Sequence, residues 1–147
     1  MQGKRLKTKE FLVEVVELLR MQLPAWLRDV NVLGPVGSLI KVHYGNPKVH
    51  YEVWVRPRHG SIEVGLHFEA ESGLNRRYLS ELRGRHAQTV ASLGPEVQPE
   101  EWVRSWTRVH QAIPFSELDE DTLMVVSGRL SQMVARLEPV VREISGP

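Results

Sequence analysis

Between Ser38 and Glu69 the chain alternates apolar and polar residues through three consecutive segments, and few folds accommodate that pattern. Ser38 to Tyr44 sets Ile40, Val42 and Tyr44 on one side. Val49 to Arg56 does the same with Val49, Tyr51, Val53 and Val55, and Ser61 to Glu69 with Ile62, Val64, Leu66 and Phe68. A period of two belongs to the β-strand, whose successive side chains point to opposite faces. Gly45-Asn46-Pro47-Lys48 and Pro57-Arg58-His59-Gly60 are turn sequences. Connections this short make the neighbouring strands antiparallel, and the apolar face must then be covered.

Side-chain complementarity predicts the registers. A four-residue loop in the first hairpin pairs Tyr44 with Val49, Val42 with Tyr51 and Ile40 with Val53. It also sets His43 against His50 and Lys41 against Glu52. A two-residue loop at His59-Gly60 in the second hairpin pairs Val55 with Val64, Val53 with Leu66 and Tyr51 with Phe68. On the polar side it sets His50 against Glu69, Glu52 against His67, Arg56 against Glu63 and Trp54 across Gly65.

The rest of the chain reads mainly as helix. Thr8 is an N-cap residue type, and Phe11, Leu12, Val15, Val16, Leu19 and Leu23 follow at helical spacing until Pro24. Residues 28–38 read mostly as loop, with a short strand at Asp29 to Leu33. A second helix spans Asn75 to Leu93, ended by Gly94-Pro95. Pro99-Glu100-Glu101 opens a turn, and a fourth strand is expected near Ser105 to Ile113. A third helix follows Asp119, with Leu123, Leu130, Leu137 and Ile144 seven apart and Pro139 inside. The expected fold is one two-layer α+β domain over 1–147. It is a mainly antiparallel sheet of about four strands in the order α-β-β-β-α-β-α, with the helices on one face. Residues 1–8 read as a charged lead-in and 145–147 as a tail.

Composition removes whole classes of chemistry. Without cysteine there are no disulfides, thiolate metal sites or cysteine nucleophiles. No apolar run reaches the ~18 residues of a membrane helix, and no signal-peptide core follows the basic N-terminus, so no membrane partner and a cytoplasmic location are expected. A net charge of +1 gives no global attraction to nucleic acid. Short catalytic patterns fail on context. Gly34-Pro35-Val36-Gly37 precedes a strand rather than joining two helices, and Ser38-Leu39-Ile40-Lys41 lies on a strand where a helix is needed. His67-Phe68-Glu69 lacks the cysteines that would complete a deaminase zinc site.

Four constellations remain. On the polar sheet face, His43, His50, His67 and Glu69, with Glu52 beside them, could hold a zinc-class ion or form an acid–base pair. A solvated face patterned with charge pairs is the plainer account. Arg76, Arg77, Arg83, Arg85 and His86 suit phosphate, although Glu71 and Glu81 dilute them and a solvated helix face reads first. The Leu123, Leu130, Leu137 stripe suits an internal core and, alternatively, a homodimer seam. Trp54, Trp102 and Trp106 suit core packing or an interaction surface, the last two sharing a face if their segment is helical. With no complete catalytic signature, the sequence ranks a non-catalytic accessory or protein-interaction module without cofactor first. A metal or acid–base site on the sheet face is second and nucleic-acid binding third.

Overall fold

The computed structural model describes residues 5–146. In chain order the elements are α1 (Thr8–Gln22), β1 (Asn31–Val36), β2 (Leu39–His43), β3 (Val49–Arg56), β4 (Ser61–Phe68), α2 (Ser72–Arg83), α3 (Ala87–Ala91), β5 (Gln98–Glu101), β6 (Thr107–Pro114) and α4 (Glu120–Ser145). The fold is α+β, with one antiparallel sheet in the order β1-β2-β3-β4-β6-β5. The sheet has six strands rather than about four, and the chain order differs accordingly.

The two strands beyond the expected four are sheet edges, and both contain proline; β1 overlaps the short strand expected at Asp29 to Leu33, whereas β5 replaces an expected turn. Pro35 lies in β1, where the register shifts between Leu33 and Val36. Pro99 lies in β5. Proline cannot donate to a ladder, so its presence argues against a central strand but not an edge strand. The expected second helix is broken into α2 and α3 at Gly84, whose backbone N–H caps α2 on the Ser80 carbonyl. Glycine inside a helix costs about 1 kcal/mol relative to alanine, which favours the break. The first helix begins one residue earlier than expected. Its N-cap is Lys7, whose N–H donates to Glu10 Oε1 at 3.4 Å. Asp119 caps α4 as expected, accepting from Thr122 N at 2.9 Å, and the helix continues through Pro139.

The β2–β3 register matches expectation, with Ile40 opposite Val53 and Lys41 opposite Glu52. The β3–β4 register lies two residues away from it: Val55 faces Ile62 and Tyr51 faces Leu66. The turn is wider than two residues. Pro57–His59 form one 3-10 turn, closed by Gly60 in the left-handed region at φ +62°. A shift of two preserves both faces, because side chains alternate with period two, but it changes every cross-strand partner.

The apolar face carries Ile40, Val42, Tyr51, Val53, Val55, Ile62, Val64, Leu66 and Phe68, with Val109 and Ile113 of β6, and α1, α2 and α4 supply most of the rest of a continuous core. Leu123, Leu130 and Leu137 are 6%, 1% and 0% exposed within a single chain. The heptad stripe therefore packs into the chain's own core. A charged group enters this layer: buried Glu138 accepts from Tyr51 Oη at 3.0 Å and pairs with Arg142 at 3.0 Å. Ahead of α1, the Leu6 N–H donates to the Leu118 carbonyl at 2.8 Å and Arg5 pairs with Glu117. The remainder of the expected lead-in, residues 1–4, and Pro147 of the expected tail lie outside the described residues. Among the described residues no helix is long and apolar enough to cross a membrane.

Candidate metal centre

The opposite sheet face is polar, and its centre is shielded from water while its margins are partly exposed. The β3–β4 register puts His50 directly opposite His67, while Glu52 faces Gly65 and Trp54 faces Glu63. His50, Glu52 and His67 are 0%, 5% and 2% exposed, and Glu69 is half-buried just beyond β4. Glu69 is fixed there by its backbone N–H, which donates to the Lys48 carbonyl at 2.7 Å. One donor atom from each of these four residues lies within 4.8 Å of all the others.

The hydrogen bonds around this tetrad do not balance. His50 Nδ1 lies 2.9 Å from the Pro47 carbonyl oxygen, which can only accept, so the ring proton belongs on Nδ1. In the neutral ring, Nε2 then presents a lone pair to Glu52 Oε1 at 2.8 Å. His67 lies between the two carboxylates, with Nε2 3.6 Å from Glu52 Oε2 and Nδ1 3.4 Å from Glu69 Oε2. Its Nδ1 is buried and has no hydrogen-bond partner. The two imidazoles are stacked, 5.5 Å apart and 5° from parallel, and Trp102 meets His67 edge-on at 5.0 Å. Burial raises the Glu69 carboxyl, but nearby His67, His50 and Lys41 outweigh it and hold the group below its ordinary value.

A neighbouring cluster on the same face shows what a balanced arrangement looks like. Glu63 accepts from Arg56 at 2.6 Å and His110 at 2.5 Å, and Arg108 approaches at 3.4 Å. Arg108 also donates to Glu100 at 2.7 Å. Burial pushes Glu63 up, and the Arg56 hydrogen bond, His110 and Arg108 more than reverse it. His110 is lowered, first by burial and then by Arg108, against the pull of Glu63 and Glu100. Carboxylates here face guanidinium groups. The carboxylates of the tetrad, by contrast, have only imidazoles within 4.0 Å among the described residues, with the Lys41 ammonium farther off across the β2–β3 pair.

Of the residues singled out from the sequence, the structure brings His50, His67 and Glu69 together, with Glu52 as the fourth member. His43 stays outside. It pairs with Asn31 of β1, and its Nδ1 accepts from Gly45 N at 3.1 Å. In the expected row only the His50–Glu69 pairing depended on the two-residue turn; His43 drops out because the β2–β3 ladder ends at Val42–Tyr51. Trp54 is half-buried beneath the Arg56 guanidinium, 4.3 Å away. Trp102 and Trp106 share a face across the β5–β6 hairpin loop rather than along a helix, their rings 6.1 Å apart. Arg76 and Arg83 lie on α2 facing β5, and Arg77 is exposed. Sequence reasoning missed the Glu63–His110–Arg108 cluster and the part played by Trp102. The alternation of Arg108, His110 and Ala112 along β6 was the available signal.

Compared with known proteins, the chain matches no family model, and no curated protein or solved structure matches it significantly.

Proposed function

We propose that this protein is a non-catalytic domain that carries one divalent transition-metal ion, of the zinc class, on His50 Nε2, Glu52, His67 and Glu69. The observation behind this reading is the 2.8 Å contact between His50 Nε2 and Glu52 Oε1, in a ring whose other nitrogen already faces a carbonyl. A lone pair and a carboxylate buried against each other repel unless a proton or a metal ion is shared by them, and a metal ion would also use the two further donors of His67 and Glu69. Metal-bound histidine commonly donates its second nitrogen to a backbone carbonyl, as His50 does to Pro47.

Spacing and charge agree with this reading. Bonds of about 2.0–2.2 Å to a tetrahedral ion place donors about 3.4 Å apart. The nearest contacts within the tetrad range from 2.8 to 3.8 Å when both His67 nitrogens are counted, and one donor atom from each residue lies within 4.8 Å of all the others, so the side chains close in somewhat around the ion. Two carboxylates and two neutral imidazoles carry a charge that one divalent ion cancels. Nitrogen and oxygen donors without sulfur favour zinc, manganese or iron over copper(I). Four protein donors complete a tetrahedral shell and leave no open position for water or substrate, so the ion's role is structural: it ties β3 to β4 and to the Pro47 turn.

The test is metal analysis of protein purified without a histidine tag, with melting before and after chelation. Near one equivalent of metal is expected, with a lower melting temperature after chelation and loss of the metal in both His50→Ala and Glu69→Gln. Metal-free protein that melts at the same temperature with and without added zinc, manganese or cobalt would overturn the reading.

A further inference from the structure

A second site lies on the other side of the β5–β6 loop and shares no residue with the tetrad. Fully buried Asn75 ties the start of α2 to this loop. Its Nδ2 donates to the Ala70 carbonyl at 2.9 Å and the Ser105 carbonyl at 3.1 Å, while its Oδ1 accepts from Ala70 N at 3.0 Å. Buried Thr107 adds a bond from its hydroxyl to the Asn75 carbonyl at 3.0 Å. The clip holds Arg76 of α2 opposite Arg104 of the loop.

Between them is a recess of about 180 Å³ lined by Arg76, Glu101, Arg104, Ser105, Trp106 and Thr107. It adjoins a second recess of about 430 Å³ that shares Arg76 and Glu101 and adds Arg83. Among the described residues, Arg76, Arg83 and Arg104 have no carboxylate within 4.0 Å, as is also true of Arg20, Arg28, Arg58, Arg77, Arg129 and Arg136; Arg83 donates to the Pro99 carbonyl at 3.2 Å, and what sets Arg76 and Arg104 apart is that they line one recess. Arg104 is also the one non-glycine residue in the left-handed region, at φ +59°, among those described. Its guanidinium lies 5.2 Å from the Trp106 ring centroid. An arginine gains nothing locally from that backbone conformation, which asparagine and glycine adopt more readily. Strain of this kind tends to persist where the position of a side chain matters for function.

We propose that the Arg76–Arg104 recess binds the phosphate group of a phosphate ester whose attached planar group stacks on Trp106. Guanidinium groups approaching from two elements match the fork geometry of phosphate oxygens. An aromatic face beside a phosphate site accepts a nucleobase without regard to sequence. Arg83, in the adjoining recess, suits a second phosphate. The same chemistry is offered by a free nucleotide and by a single strand of nucleic acid.

Calorimetry at low salt with inorganic phosphate, 5′-AMP and a single-stranded 12-mer tests the proposal. AMP is expected to bind at least several-fold more tightly than phosphate. If AMP and the 12-mer bind equally per phosphate, the ligand is a nucleotide. A 12-mer much tighter than AMP, with affinity falling steeply with salt, identifies a strand. Arg76→Gln and Arg104→Gly should each weaken binding at least tenfold. Arg104→Gly should also leave the melting temperature unchanged or raise it, because glycine relieves the backbone, and this separates lost binding from lost folding. No binding of any of the three probes, or unchanged binding in both variants, would overturn the proposal. The recess shares no residue with the tetrad, so repeating the titration after chelation separates this result from metal content.

Discussion

Replacing Glu52 with glutamine should move the stability of the metal-free and metal-loaded protein in opposite directions. In the metal-free protein, Glu52 Oε1 faces the His50 Nε2 lone pair at 2.8 Å. The glutamine amide fits the same volume and can donate a hydrogen bond there. Such a bond contributes about 0.5–1.5 kcal/mol net, and the repulsion it replaces disappears as well. For a domain near 150 residues, about 1 kcal/mol corresponds to about 2–4 °C in melting temperature, so apo Glu52→Gln should melt higher by about that amount. With metal, the order reverses. At a free metal concentration 100 times Kd, binding stabilises the native protein by about 2.7 kcal/mol. If losing an anionic donor weakens binding 100-fold, the same metal concentration stabilises the variant by only about 0.4 kcal/mol. The wild type should then gain about 5–11 °C on loading and the variant about 1–2 °C. The assay is differential scanning calorimetry at pH 8, where free imidazole is neutral, after chelation and again with added zinc. An apo variant less stable than apo wild type would refute the reasoning. The His50–Glu52 contact would then be an ion pair satisfied by a proton, with no need of a metal.

Gly65→Ala should lower the melting temperature by several degrees, because a Cβ there would lie 2.7 Å from the Val109 carbonyl oxygen and 3.2 Å from His110 Cα. Both obstacles are backbone, and such overpacking costs about 1–3 kcal/mol; a melt within a degree of wild type would contradict the close β4–β6 approach. Leu130→Ala should cost about 2–5 kcal/mol in urea unfolding with no change in mass by light scattering, since Leu130 packs within its own chain. A change in mass with stability retained would return the stripe to a dimer seam. Glu63 titrates below its ordinary value of 4.5, because the Arg56 hydrogen bond, His110 and Arg108 outweigh the effect of burial. Between the two values the unfolded chain holds more protons than the native one. This carboxylate therefore adds stability that is fully present above the ordinary value and lost as pH falls through the native one. Glu63→Gln should flatten the acid limb of stability against pH, and an unchanged slope below pH 4.5 would dismiss this account.

The sheet was legible in the sequence because period-two alternation is a local property. Which residues of β2, β3 and β4 face the core follows from Ile40, Tyr51, Val53, Val64 and Leu66 alone. The edges were less legible, since Pro35 and Pro99 break the pattern that identifies a strand. The capping of α4 by Asp119 was readable for the same local reason as the alternation, and the break at Gly84 was not, because tertiary context decides whether a helix tolerates a glycine. For the candidate site, His50, His67, Glu52 and Glu69 could be assigned to the polar face, but their convergence could not.

Convergence depends on register, and register depends on the turn. Pro57 to Gly60 closes the β3–β4 hairpin with one 3-10 turn, and this moves His50 from opposite Glu69 to opposite His67. Hydrophobicity cannot distinguish two registers that differ by two residues, because both keep the same side chains in the core. Burial of the polar face was also undetermined: that face alternates charges as a solvated face does, and only the tertiary structure brings Trp102 against His67. The sequence by itself determined the first and last helices, the three alternating strands, the apolar face and the absence of thiol chemistry, since these follow from residue type and spacing. The tertiary structure decided which polar groups meet and which are kept from water, because those depend on turn geometry and on contacts between residues distant in the chain.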